Sequence, residues 1–375
     1  MMKTKPIGLY VHIPFCKKKC AYCDFCSFAE LSDTVREQYI SRLVSEIMEY
    51  KREEKIAVDT VFFGGGTPSL LTPDEFFRIH SAIEKSFEIL PETEFTVEVN
   101  PKTLTEEILK AFISRGVNRI SIGMQTIHEN ERKILGRIHD FEDFLGTFKL
   151  VREHGISNIN VDIMYAIPEQ TKESLAQTLD AVCALKPEHI SAYGLIVEEG
   201  TPFFELRDSG VFHDADTEYE MYLYLSDYLA KRGYTHYEIS NYAIDGHSSR
   251  HNLKYWHNEE YIGVGISAYS NFLSKRYGNT RVMSEYLVEN YKEYISSEQT
   301  DCTAHAYEYA MLGLRLKEGI SLSEYERLSG INLLSAKKEK ISEYISLGLM
   351  THQNDRIALT ETGFYVSNMI LAELL

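Results

Sequence analysis

The chain is poor in the features that mark secreted, membrane-spanning and nucleic-acid-binding proteins. Cysteine is scarce, six in 375 residues, which excludes the disulfide framework of a small secreted domain. Nothing approaches the roughly 20 uninterrupted apolar residues of a membrane span. The opening MMKTKPIGLYVHIPF lacks the apolar core and small-residue cleavage site of a signal peptide, and reads as a short basic lead into a strand. Positive charge is in deficit: 39 Lys and Arg face 56 Asp and Glu, a formal net charge of −17. Such a surface repels phosphate backbones and anionic lipid, so nucleic acid is a poor partner. The expectation is a cytoplasmic protein with no transmembrane segment. Internal repeats, low-complexity tracts and flexible linkers are also missing.

What is present is material for a large core, with 44% hydrophobic residues. Over the first two hundred residues β-branched runs alternate with amphipathic helical stretches. The strand candidates are Gly8–Ile13, Thr60–Phe63, Phe95–Val99, Arg119–Gly123, Asn158–Met164 and His189–Leu195. The helical patterns fall near Thr34–Arg52, Pro73–Phe87, Glu106–Arg115, Phe141–His154 and Lys172–Leu185. This rhythm predicts an α/β fold with a parallel sheet, either a (β/α)6 partial TIM barrel or a doubly wound sheet. In both, ligands collect at the carboxyl ends of the strands. After about Asp245 the rhythm fades. From Ala306 short helices (Tyr307–Leu316, Ser321–Ser329, Ser335–Leu347) precede Leu349–His352 and Arg356–Thr360, a winged-helix-like order. Residues 301–375 hold seven Lys and Arg against ten Asp and Glu, so a structural or lid role is expected rather than DNA reading. The expected domains are 1–235, a core barrel; 236–300, a connecting segment that completes it; and 301–375, the winged-helix-like module.

Four of the six cysteines lie within eleven residues, Cys16, Cys20, Cys23 and Cys26, directly after the first strand candidate. Cys16-x3-Cys20-x2-Cys23 suits a [4Fe–4S] cubane: three thiolates hold three irons and leave the fourth open. An open iron is what a radical reaction of S-adenosylmethionine (SAM) needs. Phe15, Tyr22 and Phe25 would shield the cluster from water. A four-cysteine zinc site that includes Cys26 is the alternative, although zinc pairs usually come from separate hairpins. Cys183 and Cys302 read as packing residues.

Phe62-Phe63-Gly64-Gly65-Gly66-Thr67-Pro68 closes the second strand candidate, where glycines let backbone amides approach a ligand. Together with Tyr10-x-His12-Ile13-Pro14-Phe15-Cys16, Glu98-Val99-Asn100-Pro101, Arg119-x-Ser121-x-Gly123-x-Gln125, Arg137-x-His139 and Asp162, this series resembles the radical SAM superfamily. Within it the series resembles the oxygen-independent coproporphyrinogen III oxidase (HemN) family, and most of all its heme-chaperone branch, HemW. By that resemblance the cluster sits on Cys16, Cys20 and Cys23 and Tyr10 supports the SAM bound there. Tyr22 lies at the same site, Gly65, Gly66 and Thr67 meet the amino-acid end of SAM, and Glu98, Gln125, Arg137 and Asp162 line SAM sites at successive strand ends. Arg137 can clamp a carboxylate through its fork.

His251-Asn252-Leu253-Lys254-Tyr255-Trp256, which holds the chain's only tryptophan, resembles the segment that the heme-chaperone branch associates with heme handling. His251, Tyr255 and Trp256 are therefore the heme candidates, against the plainer reading of a buried histidine among aromatics. The likeness runs on through Leu312-Gly313-Leu314-Arg315-Leu316 and Leu359-Thr360-Glu361-Thr362-Gly363, from Tyr10 to Ser367. Three departures stand out. Cys26 replaces a frequent Asn, Ala166 and Glu169 replace glycines, and Ser267-Ala268-Tyr269-Ser270 replaces a Gly-Ala-His-like run. Three functions follow: a heme chaperone with cluster and SAM; a radical enzyme, either coproporphyrinogen oxidase-like or a two-SAM methyltransferase; or a zinc-stapled binding protein. The implied partners are heme or another tetrapyrrole, an electron donor for the cluster and a heme-acceptor protein.

Overall fold

The computed structural model describes residues 5–299 and 301–375; the basic lead at residues 1–4 lies outside the described residues. Six parallel strands carry the architecture: β1 (Ile7–Ile13), β2 (Ile56–Gly65), β3 (Phe87–Val99), β4 (Arg119–Gln125), β5 (Asn158–Tyr165) and β6 (His189–Gly194). They lie side by side in chain order. A doubly wound sheet would reverse direction at a switch point, and none occurs. The winding is that of an open barrel. Every helix of the expected series forms between its strands, within a few residues of the limits read from the sequence.

Alternation sorts the strand residues. In β4, Ile120, Ile122 and Met124 are buried against the helices, while Ser121, Gly123 and Gln125 face the interior cavity. The helices are held by side-chain caps, including capping boxes at Thr72/Glu75 and Asp140/Asp143.

The sheet is wider than the βα rhythm implied. A hairpin, β7 (Thr235–Glu238) and β8 (Asn241–Ala243), adds antiparallel strands beyond β6. At the other edge β9 (Tyr261–Val264) runs parallel to β1, and three further antiparallel strands continue from it. β9 is four residues long and contains Gly263, whose added Cβ would meet the Tyr269 carbonyl oxygen. So short a run shows no periodicity in sequence. One apolar core spans Ile7 to Tyr291, and a second joins Tyr222 to residues between Ala310 and Leu374. The C-terminal part forms short helices and a three-stranded sheet, followed by two helices that the sequence reading did not include, Glu361–Tyr365 and Ser367–Leu374. No helix among the described residues is long and apolar enough to cross a membrane.

Candidate functional site

The cysteine loop leaves β1 and folds over the carboxyl ends of the strands. A two-residue parallel pair, Phe15–Cys16 with Phe28–Ala29, clips its base. The Phe28 amide donates to the Pro14 carbonyl at 2.8 Å, and the Ala21 amide ties the loop to Leu135 at 3.0 Å. From below, Tyr10 O–H meets His12 Nδ1 at 3.0 Å and His12 Nε2 donates to the Cys26 carbonyl at 2.8 Å. Burial holds the His12 pKa down near 4, so this imidazole is neutral, one nitrogen accepting and the other donating. Tyr10 thus braces the loop through His12 and does not line the cavity.

Cys16, Cys20 and Cys23 are free thiols that open on one cavity of about 680 Å³. Tyr22, Gly65, Gly66, Glu98, Gln125, Arg137 and Asp162 line the same space. Thr67 stands just behind, its hydroxyl 3.7 Å from Cys16 Sγ. Among the described residues no three His, Cys, Asp or Glu side chains are gathered closely enough to hold a single metal ion. Cys26 is turned away and buried, with its thiol on the Arg281 carbonyl at 3.5 Å. Of the aromatics expected to shield the cluster, Tyr22 and Phe25 line the cavity. Phe15 points into the core against Tyr39.

The glycine run has a steric cause. Gly65 has φ +110°, and a Cβ there would fall 2.4 Å from the His12 ring; one on Gly66 would fall 2.7 Å from the Phe15 carbonyl oxygen. Backbone therefore packs against the base of the cysteine loop. The Gly65 amide donates to Glu98 at 3.1 Å. Burial, then the nearby Asp162 carboxylate, raises the Glu98 pKa to about 7, and burial pushes Asp162 up as well. Asn160 donates to Asp162 at 2.7 Å and Ser121 does so at 3.4 Å.

Asn100, quoted in the motif but given no role, is a hub. It accepts from Arg137 Nη2 at 3.0 Å and donates to Thr67 Oγ1 at 2.8 Å. That arrangement leaves the Thr67 hydroxyl proton free to point at Cys16. Arg137 also reaches Cys20 Sγ at 3.7 Å and the Gly123 carbonyl. Two groups that line the cavity stay unfinished. Gln125 has φ +73° and a buried Oε1 without a partner, and Arg137 Nε also lacks one. Unpaired buried polar groups and strained backbone gather where a ligand completes the structure. Three free cysteine thiols beside such groups fit a [4Fe–4S] cluster with SAM against it.

His251, Tyr255 and Trp256 are not brought to this cavity. They ride on the helix Arg250–Trp256 at the opposite, amino end of the strands. His251 is buried, its Nδ1 2.8 Å from Thr60 Oγ1 and its Nε2 2.8 Å from Tyr255 O–H. Burial lowers its pKa to about 3. Both ring nitrogens are occupied, so the imidazole has none to offer an iron in this arrangement. The Trp256 indole N–H is buried without a partner, and Arg315 lies 6.0 Å over the ring. Tyr269 is 57% exposed.

Comparison with known proteins identifies the family. Residues 10–182 match the model of the radical SAM superfamily, and residues 302–366 that of the HemN C-terminal domain. The superfamily implies a [4Fe–4S] cluster and SAM. The chain is 34% identical to the protein named heme chaperone HemW of Lactococcus lactis, over 100% of this chain and 98% of that one. It is 32% identical to the Bacillus subtilis HemW, over 98% of each, and 31% identical to that of Escherichia coli, over 99% and 98%. The coproporphyrinogen III oxidase HemN of E. coli, described as a radical SAM enzyme, superposes with a TM-score of 0.85 at 21% identity. That match covers 98% of this chain and 90% of that one, and it shows a shared fold. The chain belongs to the HemW family of the radical SAM superfamily.

Proposed function

We propose that this chain is a heme chaperone that carries a [4Fe–4S] cluster on Cys16, Cys20 and Cys23, holds SAM beside it, binds heme and passes it to acceptor proteins. The observation that carries the reading is the convergence of three free thiols with Gly65, Gly66, Glu98, Gln125, Arg137 and Asp162 on one cavity. The full-length likeness to proteins named heme chaperones supports it. The cluster supplies an open iron and, when reduced, an electron. Everything else falls to the chain. Gly65 and Gly66 admit a ligand close to backbone, and the Arg137 fork takes a carboxylate. Glu98, near half-ionised at neutral pH, accepts from ribose hydroxyls or an ammonium. Asp162, positioned by Asn160 and Ser121, offers a second acceptor.

His251, Tyr255 and Trp256 stay as heme candidates on the strength of the motif. Engagement of iron by His251 requires the short helix Arg250–Trp256 to turn the ring away from Thr60 and Tyr255. The test is an anaerobic heme titration of reconstituted protein, wild type and His251→Ala, followed by transfer to apomyoglobin and a SAM-cleavage assay. Stoichiometric heme binding and transfer with little SAM cleavage is the expected result. No heme binding, with SAM cleavage that accelerates on adding a porphyrinogen, overturns the chaperone in favour of a radical enzyme. Unchanged heme binding by His251→Ala removes His251 from the heme site.

A further inference from the structure

We propose that the cysteine loop is also the docking face for an acidic one-electron carrier protein, with Lys17, Lys18 and Lys19 as its attracting charges. The inference rests on the cluster assigned above and adds the way its electron arrives. Cys16-Lys17-Lys18-Lys19-Cys20 sets three consecutive ammonium groups between two cluster thiols. All three lysines are exposed. Two other charges nearby are matched within the chain, Lys102 with Asp143 at 3.3 Å and Arg281 with Asp24 at 3.2 Å; Lys17, Lys18 and Lys19 have no such partner among the described residues.

Apolar contact surface lies inside this basic rim. Phe25 is 69% exposed and lines the cluster cavity beside Lys18 and Lys19. Ile138 is 56% exposed and lines an adjoining hollow of about 480 Å³ with Lys17, Lys18 and Arg137. A small apolar centre within a charged rim is the make-up of a transient interface. The electrostatic contrast chooses the partner's sign. The whole chain carries −17, so the molecule as a whole repels an acidic protein while these three lysines attract it locally. Charges of that kind steer encounter and set orientation more than they add affinity. The step is a single electron transfer: a flavin hydroquinone or reduced iron–sulfur centre on the carrier loses one electron, the cluster gains it, and no bond forms or breaks.

The experiment mixes reduced flavodoxin with the anaerobically reconstituted protein and follows cluster reduction by stopped flow across ionic strength. Lys17→Ser/Lys18→Ser/Lys19→Ser should slow reduction about tenfold or more at low salt, a loss that shrinks as screening rises. Photoreduced deazaflavin, which needs no docking, should reduce the variant's cluster as fast as the wild type's. Should the triple variant not take up a cluster, Lys17→Glu replaces it, since Lys17 does not line the cluster cavity; it should slow the flavodoxin reaction several-fold at low salt. Rates that ignore both the substitutions and the salt overturn the docking face. So does a variant that loses heme affinity but keeps its flavodoxin rate, which would assign the lysines to the propionates of heme. Absence of iron and acid-labile sulfide after reconstitution overturns the cluster reading itself, a separate failure read before any carrier is added.

Discussion

His251 at the amino end of the barrel and Gln125 at its carboxyl end treat their polar atoms in opposite ways, although buried atoms without partners, Trp256 Nε1 among them, occur at the amino end as well. At the amino end, His251 has a partner on each nitrogen, Thr60 and Tyr255. The Glu94 carboxylate accepts the His251 amide at 3.0 Å and the Arg250 amide at 3.1 Å. At the carboxyl end, Gln125 and Arg137 keep buried atoms without partners, Gln125 sits at positive φ, and two carboxylates, Glu98 and Asp162, crowd each other. A satisfied network stabilises a fold. An unsatisfied one is free energy held for a ligand.

The contrast can be broken most severely at the thiols. Cys16→Ser, Cys20→Ser or Cys23→Ser should each abolish stable cluster content, whereas Cys26→Ser should retain it; iron and sulfide analysis after anaerobic reconstitution decides. Next in size, Arg137→Met should weaken SAM binding by about 2–3 kcal/mol, the worth of hydrogen bonds to a charged group, as read by equilibrium dialysis. At the amino end, Thr60→Val should cost about 1–3 kcal/mol of stability by orphaning a buried His251 nitrogen, while leaving SAM affinity unchanged. A drop in SAM affinity as large as that of Arg137→Met would erase the distinction between the ends.

Glu98 sharpens the comparison through pH. Its folded pKa, about 7, lies above the ordinary carboxylate value, so the folded protein binds a proton more tightly than the unfolded chain. Its ionisation therefore destabilises the ligand-free protein progressively as pH rises from about 4.5 through 7. Glu98→Gln should accordingly raise stability by about 1–2 kcal/mol at pH 8 and leave it nearly unchanged at pH 4, a difference that denaturant titrations at the two pH values measure. The smallest effect concerns three residues in left-handed backbone. Ala166, Glu169 and Ser267 adopt φ of +59°, +66° and +59°. Replacing each by glycine should stabilise the protein by roughly 0.5–1 kcal/mol, because L side chains are strained in the left-handed region. Thermal unfolding of the single variants checks it.

Much of the site was legible because strand ends and loops carry their chemistry in order along the chain. Cys16, Cys20, Cys23, Gly65, Gly66, Glu98, Gln125, Arg137 and Asp162 come from successive βα units, and parallel winding gathers them at one mouth. Asn100 was harder to see as a hub because its partners, Thr67 and Arg137, are distant in sequence. Tyr10 matched the motif, yet its part is mechanical, through His12, since it lies two residues earlier on the same face of the strand, below the cavity. The heme motif was legible as text but not as placement: nothing in His-Asn-x-x-Tyr-Trp says which end of a barrel its helix covers. β9 escaped notice because four residues between loops show no period.

By itself the sequence determined the βα alternation, the cluster loop and the order of polar groups along the strands, because hydrophobic period and residue chemistry are local properties. Tertiary structure alone decided that the sheet winds in one direction and widens at both edges, that Cys26 turns away from its neighbours, and that His251 and the cluster loop lie at opposite ends of the strands. Those outcomes depend on which backbone edges pair and which side chains meet across hundreds of residues, and such long-range pairings leave no local trace.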